Sequence, residues 1–222
     1  MGYQLQCSLL AAEHARVAAG GSAACEAGGG AQELLVPVGL DLSSPLQSEA
    51  AAAATAAGLA ATPALAEIYP LGGAGDRLGL CCEETGEGLP TAVLRYCGRT
   101  LLEALVRDVA AREYLYWQVH GRQLTTPIAV MTSAAKGNHW RVAALFEGAA
   151  WFGRGRESFR LFQQPLVPVV AAEDARWLLA APLSPALKPG GHGAIWKLMV
   201  DAGVFDWLAG QGRTAAIVRQ IR

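Results

Sequence analysis

The residues best suited to phosphate chemistry are concentrated at residues 71–79. This segment has four glycines and one arginine in nine positions, in the order Leu71, Gly72, Gly73, Ala74, Gly75, Asp76, Arg77, Leu78 and Gly79. Glycines let backbone N–H groups approach a phosphate closely, and the guanidinium of Arg77 supplies a permanent charge with several donors. The segment therefore predicts a loop that binds the phosphates of a nucleotide.

Two common glycine motifs do not fit this loop. A dinucleotide-binding fingerprint needs a third glycine at position 78, which is Leu78 in this sequence. A Walker loop needs a lysine directly after its last glycine, but Leu80 follows Gly79. A glycine-rich turn in which Asp76 and Arg77 pair in solvent accounts for the same residues. On the residues alone, the phosphate loop and the plain turn both remain open.

The other reactive side chains form no catalytic or metal-binding pattern. The five cysteines occur without a C-x-x-C pair or suitably spaced histidines, which argues against a zinc site and favours a reducing compartment. The sequence also lacks a Ser/His/Asp spacing typical of nucleophilic enzymes. We therefore expect no covalent catalysis and assign no metal ligand within the chain.

The segments around the glycine loop alternate between strand and helix patterns. A capping box at Thr100 to Glu103 starts a helix that Gly121 ends. Further helices are predicted at residues 4–19, 138–145 and 195–208, and residues 49–61 are either a surface helix or an ordered connection. Strands are predicted at residues 67–71, 127–131, 158–162, 166–170 and 214–221. This alternation predicts an α/β domain with a mainly parallel sheet, helices on both faces, and ligands over the carboxyl ends of the strands.

Length and charge limit the classes of partner. A chain of 222 residues with 52% hydrophobic content is enough for one globular domain of ordinary size. Eighteen basic and nineteen acidic residues give a net charge of -1, so the chain has no field to attract nucleic acid or anionic lipid. Residues 49–61 are too few to cross a bilayer, so we expect no membrane insertion. Residues 1–16 resemble neither a secretory signal nor a transit peptide.

Four blocks of sequence resemble the sugar-nucleotide pyrophosphorylases, in the order found in that family. They are LGGAGDRLG at 71–79, MTS at 131–133, FQQPLVP at 162–168 and KPGGHG at 188–193. Longer segments resemble the chloroplast-type UDP-glucose pyrophosphorylases of plants and algae. These segments are YPLGG at 69–73, DRLGL at 76–80, YCGRTLLE at 96–103, WFGRG at 151–155 and GHGAIWKL at 191–198.

The resemblance implies a Rossmann-like, GT-A-like nucleotidyltransferase fold and the transfer of a uridylyl group from UTP to a sugar 1-phosphate. It implies that Arg77, Lys188 and His192 are catalytic. The nucleotide-binding residues that it implies are Leu71, Gly72, Gly73, Ala74, Gly75, Asp76, Gln164, Gly191 and Gly193. In this assignment Gln164 reads the edge of uracil, since an amide can donate and accept hydrogen bonds at once. Without the resemblance, Gln164 is equally well a solvated amide, and Gly191 and Gly193 could simply cap a strand-to-helix turn. A lone His192 would more often be a structural residue than a catalytic one.

The sequence departs from the family at two places. Residues 81–94 contain no lysine where many pyrophosphorylases have one, and Lys188 is the nearest substitute beside the Gly-His-Gly turn. The resemblance also implies a Mg²⁺ ion whose aspartate ligand lies beyond Arg222. We therefore expect residues 1–66 to form a helical or irregular extension and residues 67–222 to form an incomplete nucleotide-binding domain.

Three functions remain open at this stage. The resemblance implies a chloroplast uridylyltransferase that makes UDP-glucose for sulfolipid synthesis. The missing metal and sugar sites favour instead a binding or scaffold module of the same fold without activity. A guanylyl- or adenylyltransferase is the third alternative, and Gln164 argues against it.

Overall fold

The computed structural model describes Leu9, Ala12, residues 48–73 and residues 78–220. These residues divide into two compact units. Residues 48–166 and 189–220 belong to the larger unit, and Val167–Lys188 belongs to the smaller one. The helix predicted at residues 4–19 and the apolar residues 34–42 lie outside the described part of the chain, apart from two isolated positions.

Alternating helices and strands make up the described residues. The helices are Ser48–Ala60 (α1), Leu101–His120 (α2), Asn138–Gly148 (α3), Ile195–Asp201 (α4) and Val204–Gly210 (α5). The strands are Leu65–Pro70 (β1), Arg95–Tyr96 (β2), Arg99–Thr100 (β3), Ile128–Ser133 (β4), Phe159–Gln164 (β5), Leu166–Pro168 (β6), Leu179–Ala181 (β7), Ser184–Pro185 (β8), Leu187–Pro189 (β9) and Ala215–Val218 (β10). The short pairs β2–β3 and β7–β8 are antiparallel hairpins that the sequence did not predict.

The central sheet has four strands in the order β10-β1-β4-β5, and every neighbouring pair is parallel. This confirms the predicted α/β class with a parallel sheet. The chain crosses the sheet in one direction from β1 to β4 and β5, and then returns to place β10 on the other side of β1. Ligands of such sheets bind where the strand order reverses, at the carboxyl ends of the strands.

Alternate residues of the strands pack into two hydrophobic cores, one on each face of the sheet. On one face, Tyr69 and Val130 pack with α2 and α3, and this core includes the buried Leu102 and Phe146. On the other face, Ile68 of β1 packs with α4 and α5. The strands are therefore apolar on both sides, as expected for a parallel sheet covered twice. The prediction of helices on both faces is confirmed.

The helix predicted from the capping box is also confirmed. The side chain of Thr100 accepts a hydrogen bond from the backbone N–H of Glu103 at 3.1 Å. The helix α2 ends where Gly121 adopts a φ of 67°, a left-handed conformation that glycine adopts at little cost. These two signals are local in sequence, which is why both ends of α2 were predictable.

The single helix predicted at residues 195–208 is wrong, because the structure has two helices there. Gly203 has a φ of 62° and is the N-cap that precedes α5, so the backbone leaves the helical conformation after Asp201. The break lets Met199 and Leu208 face the same core. None of the described helices combines the length and apolarity needed to span a membrane.

Candidate functional site

The carboxyl ends of the parallel strands bring the predicted binding segments to one edge of the sheet. The turn after β1 starts at Leu71, whose backbone N–H donates to the carbonyl of Met131 in β4 at 2.8 Å. Gln164 is the last residue of β5, and Gln220 follows β10 closely. Segments that are up to about 150 residues apart in the sequence thus meet at this edge because all four strands run in the same direction.

The side chain of Gln164 connects two of the predicted segments. Its Nε2 donates to the carbonyl oxygen of Gly72 at 3.0 Å, and its Oε1 accepts from the backbone N–H of Gly191 at 2.9 Å. The residue is only 3% exposed. The structure therefore brings Gly72, Gln164 and Gly191 into one hydrogen-bonded cluster, and it buries the glutamine that could have been a solvated amide.

Gly72 is a glycine because Gln164 lies so close to it. A Cβ at Gly72 would stand 2.1 Å from Nε2 of Gln164 and 3.0 Å from the carbonyl oxygen of Thr132. No side chain fits at such distances without displacing its neighbours. The neighbouring Gly73 is exposed and has open space where a Cβ would be. The two glycines therefore meet different constraints, since only Gly72 is fixed by packing.

Gly191 needs the conformational freedom of glycine. Its φ is 92° with a ψ of 166°, a combination that L-residues with a side chain rarely adopt. This conformation aims its N–H at Gln164, and the neighbouring Gly190 donates to the carbonyl of Pro165 at 3.0 Å. The turn at residues 190–194 is thereby held beside the end of β5.

Asn138 is a second buried amide at the same edge, and the sequence analysis assigned it no role. Its Nδ2 donates to the carbonyl oxygens of Leu71 at 2.9 Å and Gly73 at 3.3 Å. Its Oδ1 accepts from the backbone N–H of Ser133 at 2.9 Å. Asn138 thus joins the beginning of the glycine loop to the end of β4. The one available signal was an asparagine at the start of a predicted helix, a position often taken by helix caps.

His192 lies in the turn after Gly191 and contacts a residue beyond β10. The amide nitrogen of Gln220 is 2.9 Å from Nδ1 and 3.0 Å from Nε2 of the His192 ring. Both residues are half-buried. Gly193 is exposed, with open space around the position of a Cβ. The structure therefore adds Gln220 to the predicted group, near the point where the strand order of the sheet reverses.

Several predicted site residues cannot be located beside this cluster. Ala74, Gly75, Asp76 and Arg77 lie outside the described residues. Lys188 is exposed on β9, and it belongs to the smaller compact unit. Its assignment as a catalytic residue therefore stays a prediction.

A buried ionic network lies on β1, below the glycine loop. The carboxylate of Glu67 is fully buried, forms an ion pair with Arg112 of α2, and lies 2.9 Å from Nε of Arg219. Arg219 also donates to the hydroxyl oxygen of Tyr69 at 3.0 Å and pairs with Asp108. Burial, together with the nearby charge of Glu67, raises the pKa of Tyr69 far above its usual range. This network ties the segment after β10 to β1 and α2.

The described residues offer no ready metal site. No group of three or more His, Cys, Asp or Glu side chains among residues 48–73 and 78–220 is arranged to hold a metal ion. The side chains that we find at the carboxyl edge are amides, hydroxyls and an imidazole, whereas Mg²⁺ prefers carboxylate ligands. The described residues at this edge of the sheet therefore do not fit a resident Mg²⁺ ion.

Comparison with known proteins finds relatives of greater length. No protein-family model matches the chain. Over 189 residues it is 55% identical to the UTP–glucose-1-phosphate uridylyltransferase 3, chloroplastic, of Arabidopsis thaliana, an alignment that covers 85% of this chain and 21% of that protein. The chain thus spans about a fifth of the length of this relative.

Solved structures share the fold. The uridine diphosphate N-acetylglucosamine pyrophosphorylase of Trypanosoma brucei, in complex with an inhibitor, matches with a TM-score of 0.65 and 19% identity, over 78% of this chain and 35% of that one. A UDP-glucose phosphorylase of the same organism matches with a TM-score of 0.53 and 18% identity, over 72% of this chain and 32% of that one. At these identities the likeness establishes a common architecture over part of the longer chains.

Proposed function

Because the chain is a close homologue of a chloroplastic UTP–glucose-1-phosphate uridylyltransferase and corresponds to part of a sugar-nucleotide pyrophosphorylase, we propose that it is the nucleotide-binding part of a uridylyltransferase. The reaction is UTP plus glucose 1-phosphate giving UDP-glucose and pyrophosphate. The observation that carries this proposal is the cluster of Gly72, Gln164 and Gly191, because it joins the glycine loop to the two groups that are suited to a uracil base.

Uracil has a specific hydrogen-bonding edge, with an N3–H donor beside the O4 acceptor. Oε1 of Gln164 is an acceptor, and the N–H of Gly191 beside it is a donor. The two groups therefore complement uracil, while cytosine presents an acceptor at N3 and a donor at N4 and would meet both groups with the wrong polarity. When the base binds, its hydrogen bonds to these two groups replace, or are added to, the bond that joins Gln164 to Gly191 in the free protein. This exchange costs little, because the replaced bond and the new bonds are of the same kind.

The triphosphate lies along the glycine loop in this proposal. Leu71, Gly72 and Gly73 leave β1 at the carboxyl edge of the sheet, where backbone groups can face a ligand. The rest of the proposed phosphate loop is Ala74, Gly75, Asp76 and Arg77, in which the guanidinium of Arg77 neutralises phosphate charge. A phosphate oxygen of glucose 1-phosphate attacks the α-phosphorus in line with the departing pyrophosphate. No covalent enzyme intermediate is required, so the protein contributes alignment and charge stabilisation.

Two further residues have proposed roles near the reacting phosphates. His192 stands beside Gly191, next to the proposed position of the base, and its ring is held by Gln220. We assign His192 to the sugar or α-phosphate and Lys188 to the phosphates. Mg²⁺, when bound, would neutralise phosphate charge in this reaction.

The location and pathway are also part of the proposal. The relative with 55% identity is described as chloroplastic, which supports the chloroplast stroma for this protein. Supply of UDP-glucose to sulfolipid synthesis rests only on the resemblance of the longer segments to the chloroplast-type UDP-glucose pyrophosphorylases.

A catalytically incomplete binding or scaffold module is the second candidate. In both candidates the cluster around Gln164 binds UTP, and the two differ in turnover.

Calorimetric titration of the purified chain with UTP, CTP, GTP and ATP, with and without Mg²⁺, tests the base assignment. We expect UTP to bind at least about 10-fold more tightly than the other three nucleotides, because each wrong base leaves buried polar groups unpaired. Gln164→Ala should abolish that preference. Equal affinity for all four nucleotides would refute the uracil assignment.

Release of pyrophosphate from UTP and glucose 1-phosphate separates the enzyme from the binding module. Release of pyrophosphate supports the uridylyltransferase, whereas binding of UTP without such release supports the binding module. Turnover by the chain on its own would exclude the incomplete module, and turnover that Gln164→Ala does not alter would place the reaction elsewhere.

A further inference from the structure

A cavity in the larger unit lies at the amino ends of the parallel strands, opposite the edge that holds Gln164. It forms between the last turns of α2 and the segment at residues 122–127, which leads into β4 and belongs to no helix or strand. Its volume is about 470 Å³, within the usual range of about 300–1,000 Å³ for small-molecule sites. The lining residues are Glu113, Tyr114, Trp117, Gln123, Leu124 and Thr125.

A buried ion pair fixes the shape of this cavity. Arg154 donates to the carboxylate of Glu113 at 2.5 and 2.7 Å, and both side chains are almost fully buried. Glu113 also accepts from the backbone N–H of Thr126 at 2.5 Å, and Arg154 donates to the carbonyl of Thr126 at 2.8 Å. Arg213 donates to the carbonyl of Thr125 at 3.0 Å. The segment is therefore held against α2 before a ligand binds, which lowers the entropic cost of binding.

Two aromatic side chains of α2 supply the apolar surface of the cavity. Tyr114 and Trp117 are one helical turn apart, and both are exposed. Their ring centroids are 5.7 Å apart, and the ring planes are tilted by 47°. The electron-rich face of an aromatic ring attracts weakly positive C–H groups. The pair therefore suits a ligand with a ring whose face carries C–H groups.

The segment at residues 122–127 supplies polar groups beside these rings. Within residues 48–73 and 78–220, neither the side-chain amide of Gln123 nor the hydroxyl of Thr125 makes a hydrogen bond. The amide offers both donors and an acceptor, and the hydroxyl can do either. Groups of this kind match hydroxyls on a ligand, which also donate and accept.

The charge of the lining residues narrows the class of ligand. Glu113 is the one charged residue among the six, and its carboxylate is paired with Arg154. A phosphate or an ammonium group would therefore lose hydration here without gaining a countercharge from the lining. A neutral ligand that combines a C–H face with several hydroxyls fits best, and a sugar in its pyranose form has both features.

We propose that this cavity binds the ring of a neutral hexose, either as a free sugar or as the end of a glycan. The C–H face of the pyranose lies on Trp117 and Tyr114, and its hydroxyls bond to Gln123 and Thr125. The inference goes beyond the proposed function and does not depend on it, because no lining residue belongs to the cluster around Gln164.

The test is an NMR titration of the isotope-labelled chain with glucose, maltose and sorbitol. We expect glucose and maltose to shift the amide signals of residues 121–126 and the indole N–H signal of Trp117, in a saturable manner. Sorbitol has hydroxyls like those of glucose but no ring, so it should bind at least about 10-fold more weakly. Tighter binding of maltose than of glucose would support the end of a glycan as the ligand, and equal binding would support a single sugar.

Two substitutions test the two sides of the cavity separately. Trp117→Ala should weaken binding of glucose and maltose by about 10-fold or more, because it removes the larger ring surface. Gln123→Ala should weaken binding by about 3-fold or more through the loss of hydrogen bonds. Trp140→Ala is the matched control, since it removes a tryptophan that is 76% exposed and lies outside the cavity.

Thermal unfolding of each variant checks that the fold is intact. The proposal is overturned if neither glucose nor maltose shifts the signals of the cavity. It is equally overturned if Trp117→Ala binds these sugars as tightly as Trp140→Ala does, or if sorbitol binds as tightly as glucose, since the aromatic rings would then not hold a sugar ring.

Discussion

The amide nitrogen of Gln164 lies 3.0 Å from the carbonyl oxygen of Gly72, so the last residue of β5 holds the second residue after β1. Between these two strands lies β4, and the glutamine side chain reaches across its end. The same amide holds the turn at Gly191. The positions of the start of the glycine loop and of the proposed base site therefore depend on one buried side chain.

Gly72→Ala should disrupt this arrangement. The added Cβ would lie 2.1 Å from Nε2 of Gln164 and 3.0 Å from the carbonyl of Thr132, which is backbone and cannot move easily. We expect a loss of about 2 kcal/mol in the free energy of unfolding, measured by urea denaturation, from crowding and the broken hydrogen bond. Binding of UTP should fall with it.

The adjacent Gly73→Ala provides the matched control for stability. Nothing lies within 4 Å of its added Cβ, so its free energy of unfolding should change by less than about 0.5 kcal/mol. Equal stability of the two variants would contradict the close packing of Gly72 against Gln164.

Asn138→Ala should loosen the start of the glycine loop. The change removes hydrogen bonds to the carbonyls of Leu71 and Gly73 and leaves the buried N–H of Ser133 without its acceptor. We expect a destabilisation of about 2–3 kcal/mol and weaker binding of UTP. Urea denaturation and calorimetry measure the two effects.

Gln211→Ala is the control for this substitution. Gln211 is exposed and its amide makes one bond, at 3.3 Å, to the carbonyl of Trp207. Its loss should cost less than about 0.5 kcal/mol and leave UTP affinity unchanged. If Asn138→Ala behaved in the same way, the role of Asn138 in holding the loop would be wrong.

The parallel sheet could be predicted because its signals are local. The apolar runs that form β1, β4 and β5 and the capping box of α2 each appear within a few residues of sequence. The break at Gly203 was missed, since the apolar pattern continues through it and a glycine inside a helical pattern is often tolerated. The order of the strands followed only from the structure.

The site was predictable to a lesser extent, because its contacts join distant segments. Gln164 and Gly191 were named from the resemblance, but the bond between Gln164 and Gly72 spans 92 positions and no local pattern encodes it. Asn138 was missed for the same reason.

Glu67→Gln should strongly destabilise the protein. The neutral amide leaves the guanidinium groups of Arg112 and Arg219 without their buried countercharge. Breaking a buried ion pair costs about 3–5 kcal/mol, and we expect a loss of about 3 kcal/mol because both arginines keep some contact with solvent. Urea denaturation at neutral pH measures this change.

Glu103→Gln is the control for Glu67. Glu103 pairs with Arg99 and Arg107 on the surface of α2, each at 3.7 Å, and such pairs contribute less than about 1 kcal/mol. A similar small effect for Glu67→Gln would show that the network on β1 contributes no more than a surface ion pair.

Tyr69→Phe should reduce the sensitivity of the protein to alkaline pH. Burial, with the charge of Glu67, raises the pKa of Tyr69 in the folded state, so its neutral form contributes stability that is fully present below about pH 10 and is lost as the pH rises towards the folded-state pKa. Above pH 10 this tyrosine alone should cost the wild-type chain about 1.4 kcal/mol per pH unit. The variant lacks that dependence, although losing the bond to Arg219 lowers its stability by about 1 kcal/mol at every pH.

Urea denaturation between pH 9 and 11 compares how steeply the free energy of unfolding falls with pH in each variant. Tyr114→Phe removes an exposed hydroxyl and is the control, which we expect to keep the wild-type slope. Identical slopes for Tyr69→Phe and the wild-type chain would mean that the Tyr69 hydroxyl ionises as readily in the folded protein as in the unfolded chain.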